Sequence, residues 1–199
     1  MLTSPPNLLT FVRIGLIPIL VALFYLEGAW ARWFACAVFA IAATTDYLDG
    51  WLARNRKQQS RLGRWLDPVA DKLLVAATVL ALVAFDRAPL LPSLVILLRE
   101  ILISGLREYL AEARLDLPVS RLAKWKTAIQ MMALGFLIVG DAGPAWLYVE
   151  EVGFWGLWLA AFLTIASGWD YVHKSVGHML DEPVREPRLR PARGASPWS

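Results

Sequence analysis

The chain has 199 residues, of which 57% are hydrophobic and 19% charged, and its mean hydropathy is +0.48. A charged fraction below the roughly 25% of an ordinary soluble domain excludes a disordered chain, and a single cysteine, Cys36, excludes an internal disulfide framework. The net charge of +3 does not point to nucleic acid, because the basic residues flank apolar runs and so mark one face of a membrane.

Apolar runs occur at Leu8–Leu26, broken only by Arg13, then at about Trp33–Thr45, Leu73–Phe85, Leu90–Leu98, Ala128–Val139 and Val152–Trp169. A membrane helix needs about 20 residues, so only the first and last suffice alone. The middle four become spans if each helix continues through the polar residues at one of its ends. Six crossings leave no room for a separate soluble catalytic domain. The fold class expected is therefore an all-α integral membrane protein of six transmembrane helices, with its chemistry on the helices themselves.

With the N-terminus in the cytoplasm, the intramembrane polar residues gather at one depth. Asn7, Thr10 and Arg13 start the first helix there, Asp46, Asp49 and Arg54 end the second, and Asp67 and Asp71 start the third. Arg99, Glu100, Arg107 and Glu108 end the fourth, and Lys124 and Lys126 start the fifth. The segment Arg54–Arg64 is basic and carries no acid, whereas the opposite side carries Glu27, Asp86, Asp141, Glu150 and Glu151 against Arg32 and Arg87. The positive-inside rule then places both termini in the cytoplasm and the active site at the cytoplasmic end of the bundle. Met1–Asn7 holds no Lys or Arg, and no cleavable signal peptide is expected. Residues 1–180 are expected to form the membrane domain, and residues 181–199 a disordered basic tail rich in Pro and Arg near anionic lipid.

The chemistry-bearing segments are Asp46-Tyr47-Leu48-Asp49-Gly50-Trp51-Leu52-Ala53-Arg54 and Gly63-Arg64-Trp65-Leu66-Asp67-Pro68-Val69-Ala70-Asp71. On an ideal helix Asp46, Asp49, Gly50 and Ala53 fall within about 100° of arc, so two carboxylates share a face with the two smallest residues. Asp67 and Asp71 are four apart and share a face of the next helix. Four carboxylates crowded at low dielectric need cations, and hard oxygen donors favour Mg²⁺ or Mn²⁺. Such a site suits a metal-held diphosphate. A plainer alternative is interhelical ion pairing or helix capping, with Asp67 before Pro68 as an N-cap and Asn7 as a cap after Pro5-Pro6.

The spacing D-x₂-D-G-x₂-A-R-x₈-G-x₃-D-x₃-D, met by Asp46, Asp49, Gly50, Ala53, Arg54, Gly63, Asp67 and Asp71, resembles the signature of the CDP-alcohol phosphatidyltransferases. That resemblance implies a six-helix transferase whose aspartates hold a pair of divalent metals against a CDP-linked diphosphate. Carried over by position, Asp46, Asp49, Asp67 and Asp71 are metal ligands, and Asp71 is also the general base. Gly50, Ala53, Arg54 and Gly63 would form the CDP-diacylglycerol pocket, and Asn7 and Thr10, three apart on one face of the first helix, would hydrogen-bond its nucleotide or phosphate with Arg13 nearby.

Arg99, Arg107, Lys124 and Lys126 outnumber the acids around them, which suits an anionic acceptor, and Arg grips phosphate bidentately. Glu100 shares a face with Arg107, so an internal ion pair between them is the plainer alternative for one arginine. From about Pro6 to Gln130 the segments resemble bacterial phosphatidylglycerophosphate synthases. That implies transfer from CDP-diacylglycerol to sn-glycerol 3-phosphate, release of CMP, a place in phospholipid biosynthesis at the bacterial inner membrane, and a homodimer surrounded by lipid. The four cations would then bind glycerol 3-phosphate. Two alternatives stand beside this reading: a sister transferase using inositol phosphate, serine or phosphatidylglycerol, and a divalent-cation transporter lined by the aspartates.

Overall fold

A computed structural model describes residues 5–56, 61–112 and 121–181, with the side chains of 5–7, 46–56 and 61–65 among those outside the description. Among the described residues there are six α-helices: α1 (Pro5–Phe24), α2 (Ala29–Arg56), α3 (Arg61–Ala84), α4 (Leu90–Glu112), α5 (Arg121–Val139) and α6 (Val149–Asp181). Two short 3₁₀ turns, Gly140–Ala142 and Ala145–Leu147, join α5 to α6. The expected tail and the interhelical residues 57–60 lie outside the described residues.

Each middle helix extends well beyond its apolar run. Helix α2 carries on through Asp46 and Asp49 to Arg56, and α4 carries on through Arg99 and Arg107 to Glu112. In an apolar surrounding a backbone amide has no water to bond, so continuing the helix costs less than breaking it at the polar residues. The N-cap reading of Asp67 is overturned for the same reason. Helix α3 begins at Arg61, and Pro68 sits inside it. Pro68 there has no N–H to give to the preceding turn. Helix α1 likewise begins at Pro5, with Asn7 in its first turn rather than ahead of it.

Contact registers define the topology. Thr10 meets Asp67 and Arg13 meets Asp71, so α1 and α3 run parallel. Gly156 sits against Ala133 and Gly153 against Leu137, so α5 and α6 run antiparallel. Trp33 donates to the Ala142 carbonyl and Cys36 faces the Gly135 carbonyl, which makes α2 antiparallel to α5. One end of the bundle is therefore closed by Arg32 paired with Asp141. The other end holds Thr10, Arg13, Asp67, Asp71, Arg99 and Lys126.

The buried core mixes Leu20, Leu82, Leu134, Leu137 and Leu157 with Ala35, Ala42, Ala133, Ala160 and Ala161. Small residues let helices approach closely where bulk apolar packing alone gives little drive. Many large side chains face outward: Trp155 is 68% and Phe162 67% exposed. An outer face this apolar is suited to lipid rather than water. Residues Ala145–His173 form a stretch long and apolar enough to cross a membrane by length and composition, and Leu8–Phe24 and Ala29–Thr45 are shorter apolar helices.

Candidate active site

Helices α1 and α3 build the described part of the site. Thr10 and Arg13 are three apart in α1, both are fully buried, and both point at α3. The Thr10 hydroxyl donates to Asp67 Oδ1 at 2.5 Å. Arg13 Nη1 lies 2.6 Å from Asp71 Oδ1, and its Nε donates to the Ala42 carbonyl on α2 at 3.2 Å. One guanidinium thus ties three helices at the level of the aspartates. Ala70, between the carboxylates, is fully buried, whereas the Asp71 side chain keeps 42% exposure. Helix spacing places Asp67 and Asp71 on a common face, with α1 fixing the orientation of both.

Asp46, Asp49, Gly50, Ala53, Arg54 and Gly63 belong to α2 and α3, and Asn7 to α1, but their side chains lie outside the described residues. Asp67 and Asp71 supply hard oxygen donors, one oriented by a hydroxyl and one half open. That donor set fits Mg²⁺ or Mn²⁺ better than a softer metal.

The basic residues divide into two groups. Lys126 is buried, at 2% exposure, and its ammonium pairs with Glu100. Arg99 Nη1 lies 3.4 Å from the same Glu100 oxygen, and its Nη2 donates to Ser167 on α6 at 3.2 Å. Glu100 therefore binds Arg99 and Lys126, and the alternative of a Glu100–Arg107 pair is not met. Arg107 and Lys124 are exposed. The role of Ser167 was not legible in the sequence. A signal was present, since Thr164 and Ser167 are the polar side chains within the apolar run Val152–Trp169 of α6. A second contact joins α3 to α4, where the Lys72 ammonium bonds the Ser104 hydroxyl.

The profile of the CDP-alcohol phosphatidyltransferase family matches residues 3–166. The chain belongs to this family. Proteins named CDP-diacylglycerol–glycerol-3-phosphate 3-phosphatidyltransferase are similar along most of its length. The one from Rickettsia typhi is 46% identical over 166 residues, covering 83% of this chain and 93% of its own. The one from Pseudomonas fluorescens is 42% identical over 195 residues, covering 95% and 98%. The crystal structure of Mycobacterium tuberculosis phosphatidylinositol phosphate synthase superposes with a TM-score of 0.63 at 20% identity, covering 88% of this chain and 90% of that one. At that identity the likeness speaks for the fold. This CDP-alcohol phosphatidyltransferase is thus a membrane transferase of a generally metal-dependent family, with helices and no strand among its described residues.

Proposed function

We propose that the chain transfers the phosphatidyl group of CDP-diacylglycerol to sn-glycerol 3-phosphate, giving phosphatidylglycerophosphate and CMP. The observation that carries this reading is near full-length similarity to proteins named for that reaction. Family membership sets aside the cation transporter. The reading includes six membrane crossings, cytoplasmic termini, a bacterial inner membrane and a homodimer.

In this reading Asp46, Asp49, Asp67 and Asp71 hold Mg²⁺ or Mn²⁺, two per site, which when bound supply Lewis-acid polarisation of the diphosphate. Asn7, Gly50, Ala53, Arg54 and Gly63 receive CDP-diacylglycerol. Thr10 and Arg13 act beside them by orienting Asp67 and Asp71. Asp71 accepts the proton of the acceptor hydroxyl. The freed oxygen attacks the phosphorus that carries the diacylglycerol, the P–O bond to CMP breaks, and CMP leaves with the electron pair. Arg107 and Lys124 meet the acceptor phosphate directly, and Arg99 and Lys126 extend the same basic wall while held by Glu100.

An acceptor panel tests the assignment. CMP release is followed with CDP-diacylglycerol, Mg²⁺ and each of glycerol 3-phosphate, glycerol, inositol phosphate, serine and phosphatidylglycerol. Glycerol 3-phosphate is expected to support the fastest release. Faster release with another acceptor would move the chain to a sister activity.

A further inference from the structure

Lys72 follows Asp71 in α3, and consecutive helical side chains diverge by about 100°. Asp71 turns toward Arg13 of α1, while the Lys72 ammonium reaches Ser104 of α4. A serine hydroxyl is neutral, so this contact steadies the ammonium without cancelling its charge. Glu100 and Glu108 each lie one turn from Ser104. Glu100 is engaged by Arg99 and Lys126, and among the described residues Lys72 forms no ion pair. Lys72 is half-buried, so its charge is held rather than dispersed in water. Arg107 is three residues after Ser104, shares its helix face, and is exposed. Lys72 thus meets the Ser104 hydroxyl, and helix spacing puts the Arg107 cation one turn further along the same face of α4.

We infer that Lys72, steadied by Ser104 and joined by Arg107, binds the phosphate of the acceptor, an inference that rests on the reaction proposed above. The arrangement accounts for the geometry that an acceptor phosphate requires. The reacting hydroxyl of glycerol 3-phosphate is separated from its phosphate by a three-carbon chain. Two adjacent residues of one helix can therefore serve the two ends of the acceptor. Holding the phosphate at Lys72 would keep the acceptor near the residue proposed as its base. Lys126, buried and paired with Glu100, is less suited to this task.

The alternative role for Lys72 is a staple between α3 and α4, and two substitutions in the full-length protein separate the roles. Lys72→Gln removes the charge but keeps a hydrogen-bonding group for Ser104. Ser104→Ala removes the staple but keeps the charge. Steady-state CMP release is measured with each substrate varied in turn, alongside the thermal unfolding midpoint. Lys72→Gln is expected to raise KM for glycerol 3-phosphate about tenfold or more, the size of a lost charge-assisted bond. Its KM for CDP-diacylglycerol and its unfolding midpoint should stay near wild type. Ser104→Ala should raise the acceptor KM only about two- to threefold. An unchanged acceptor KM in Lys72→Gln, or a larger effect of Ser104→Ala, would overturn the role of Lys72 alone. A wild type that releases no CMP with glycerol 3-phosphate would overturn the reaction and this inference together.

Discussion

The fully buried guanidinium of Arg13 on α1 and the half-exposed carboxylate of Asp71 on α3 form a 2.6 Å ion pair. Its other described bond, to the Ala42 carbonyl, adds α2 to the same junction. Arg suits such a junction because its planar fork presents several donors at fixed angles, whereas a lysine offers one compact charge. Removing one partner of a buried charged pair strands the other, and here the exposure of Asp71 moderates that cost. Arg13→Met should destabilise the protein by about 1–3 kcal/mol and lower kcat at least tenfold. Arg13→Lys should restore the unfolding midpoint more than kcat. Thermal unfolding in detergent and CMP release check both statements. Wild-type kcat in Arg13→Met would remove Arg13 from the positioning of Asp71.

The base assignment predicts a separation of binding from turnover. Asp71→Asn keeps the shape of the side chain but loses a proton acceptor, so turnover should fall by about 100-fold or more. Binding of CDP-diacylglycerol, measured by its stabilisation against heat, should persist. Retention of more than about a tenth of the wild-type rate would assign the base elsewhere.

Metal removal is a third test. EDTA should abolish CMP release, and Mg²⁺ or Mn²⁺ should restore it, while Zn²⁺, which prefers nitrogen and sulfur ligands, should restore less. Full activity in a demetallated preparation would exclude the carboxylates from a metal role.

Among the basic residues, exposure and pairing rank the expected effects. Arg107→Ala should lower kcat/KM for glycerol 3-phosphate about tenfold or more, equivalent to roughly 1.5–3 kcal/mol for a charge-assisted bond. It should leave KM for CDP-diacylglycerol little changed. Free glycerol should be a poor acceptor for wild type and no poorer for the variant. Lys126→Met should instead lower the unfolding midpoint, because it removes the closer of the two cations that Glu100 binds. Equal use of glycerol and glycerol 3-phosphate by wild type would dismiss a phosphate receptor at Arg107.

Packing between α5 and α6 supplies a control on the fold. A Cβ at Gly153 would meet Leu137 Cγ at 2.9 Å and the Leu137 backbone nitrogen at 3.0 Å. Backbone cannot yield as a side chain does, so Gly153→Ala should destabilise by about 1–3 kcal/mol. Gly105, on α4, has nothing within 4 Å of its added Cβ, and Gly105→Ala should be neutral or stabilising. Thermal unfolding compares the pair, and equal midpoints would contradict the close α5–α6 approach.

The sequence by itself determined the family, because the aspartates, glycines and alanine that carry it are defined by covalent spacing along α2 and α3. It also placed the polar residues at one end of the bundle, since apolar runs alternate with charged segments in a consistent sense. Tertiary structure decided where each helix ends and which partner each charge takes. Apolar runs understated α2 and α4, because an amide in an apolar surrounding keeps its helical bond even where the side chains turn polar. Helical phase alone allowed Glu100 to pair with Arg107. The fold instead brings Lys126 of α5 onto Glu100, and Ser167 of α6 onto Arg99. The bonds from Thr10 to Asp67 and from Arg13 to Asp71 depend in the same way on the register of α1 against α3. Register between helices is set by how side chains of different segments interlock, and no pattern read along one segment contains it.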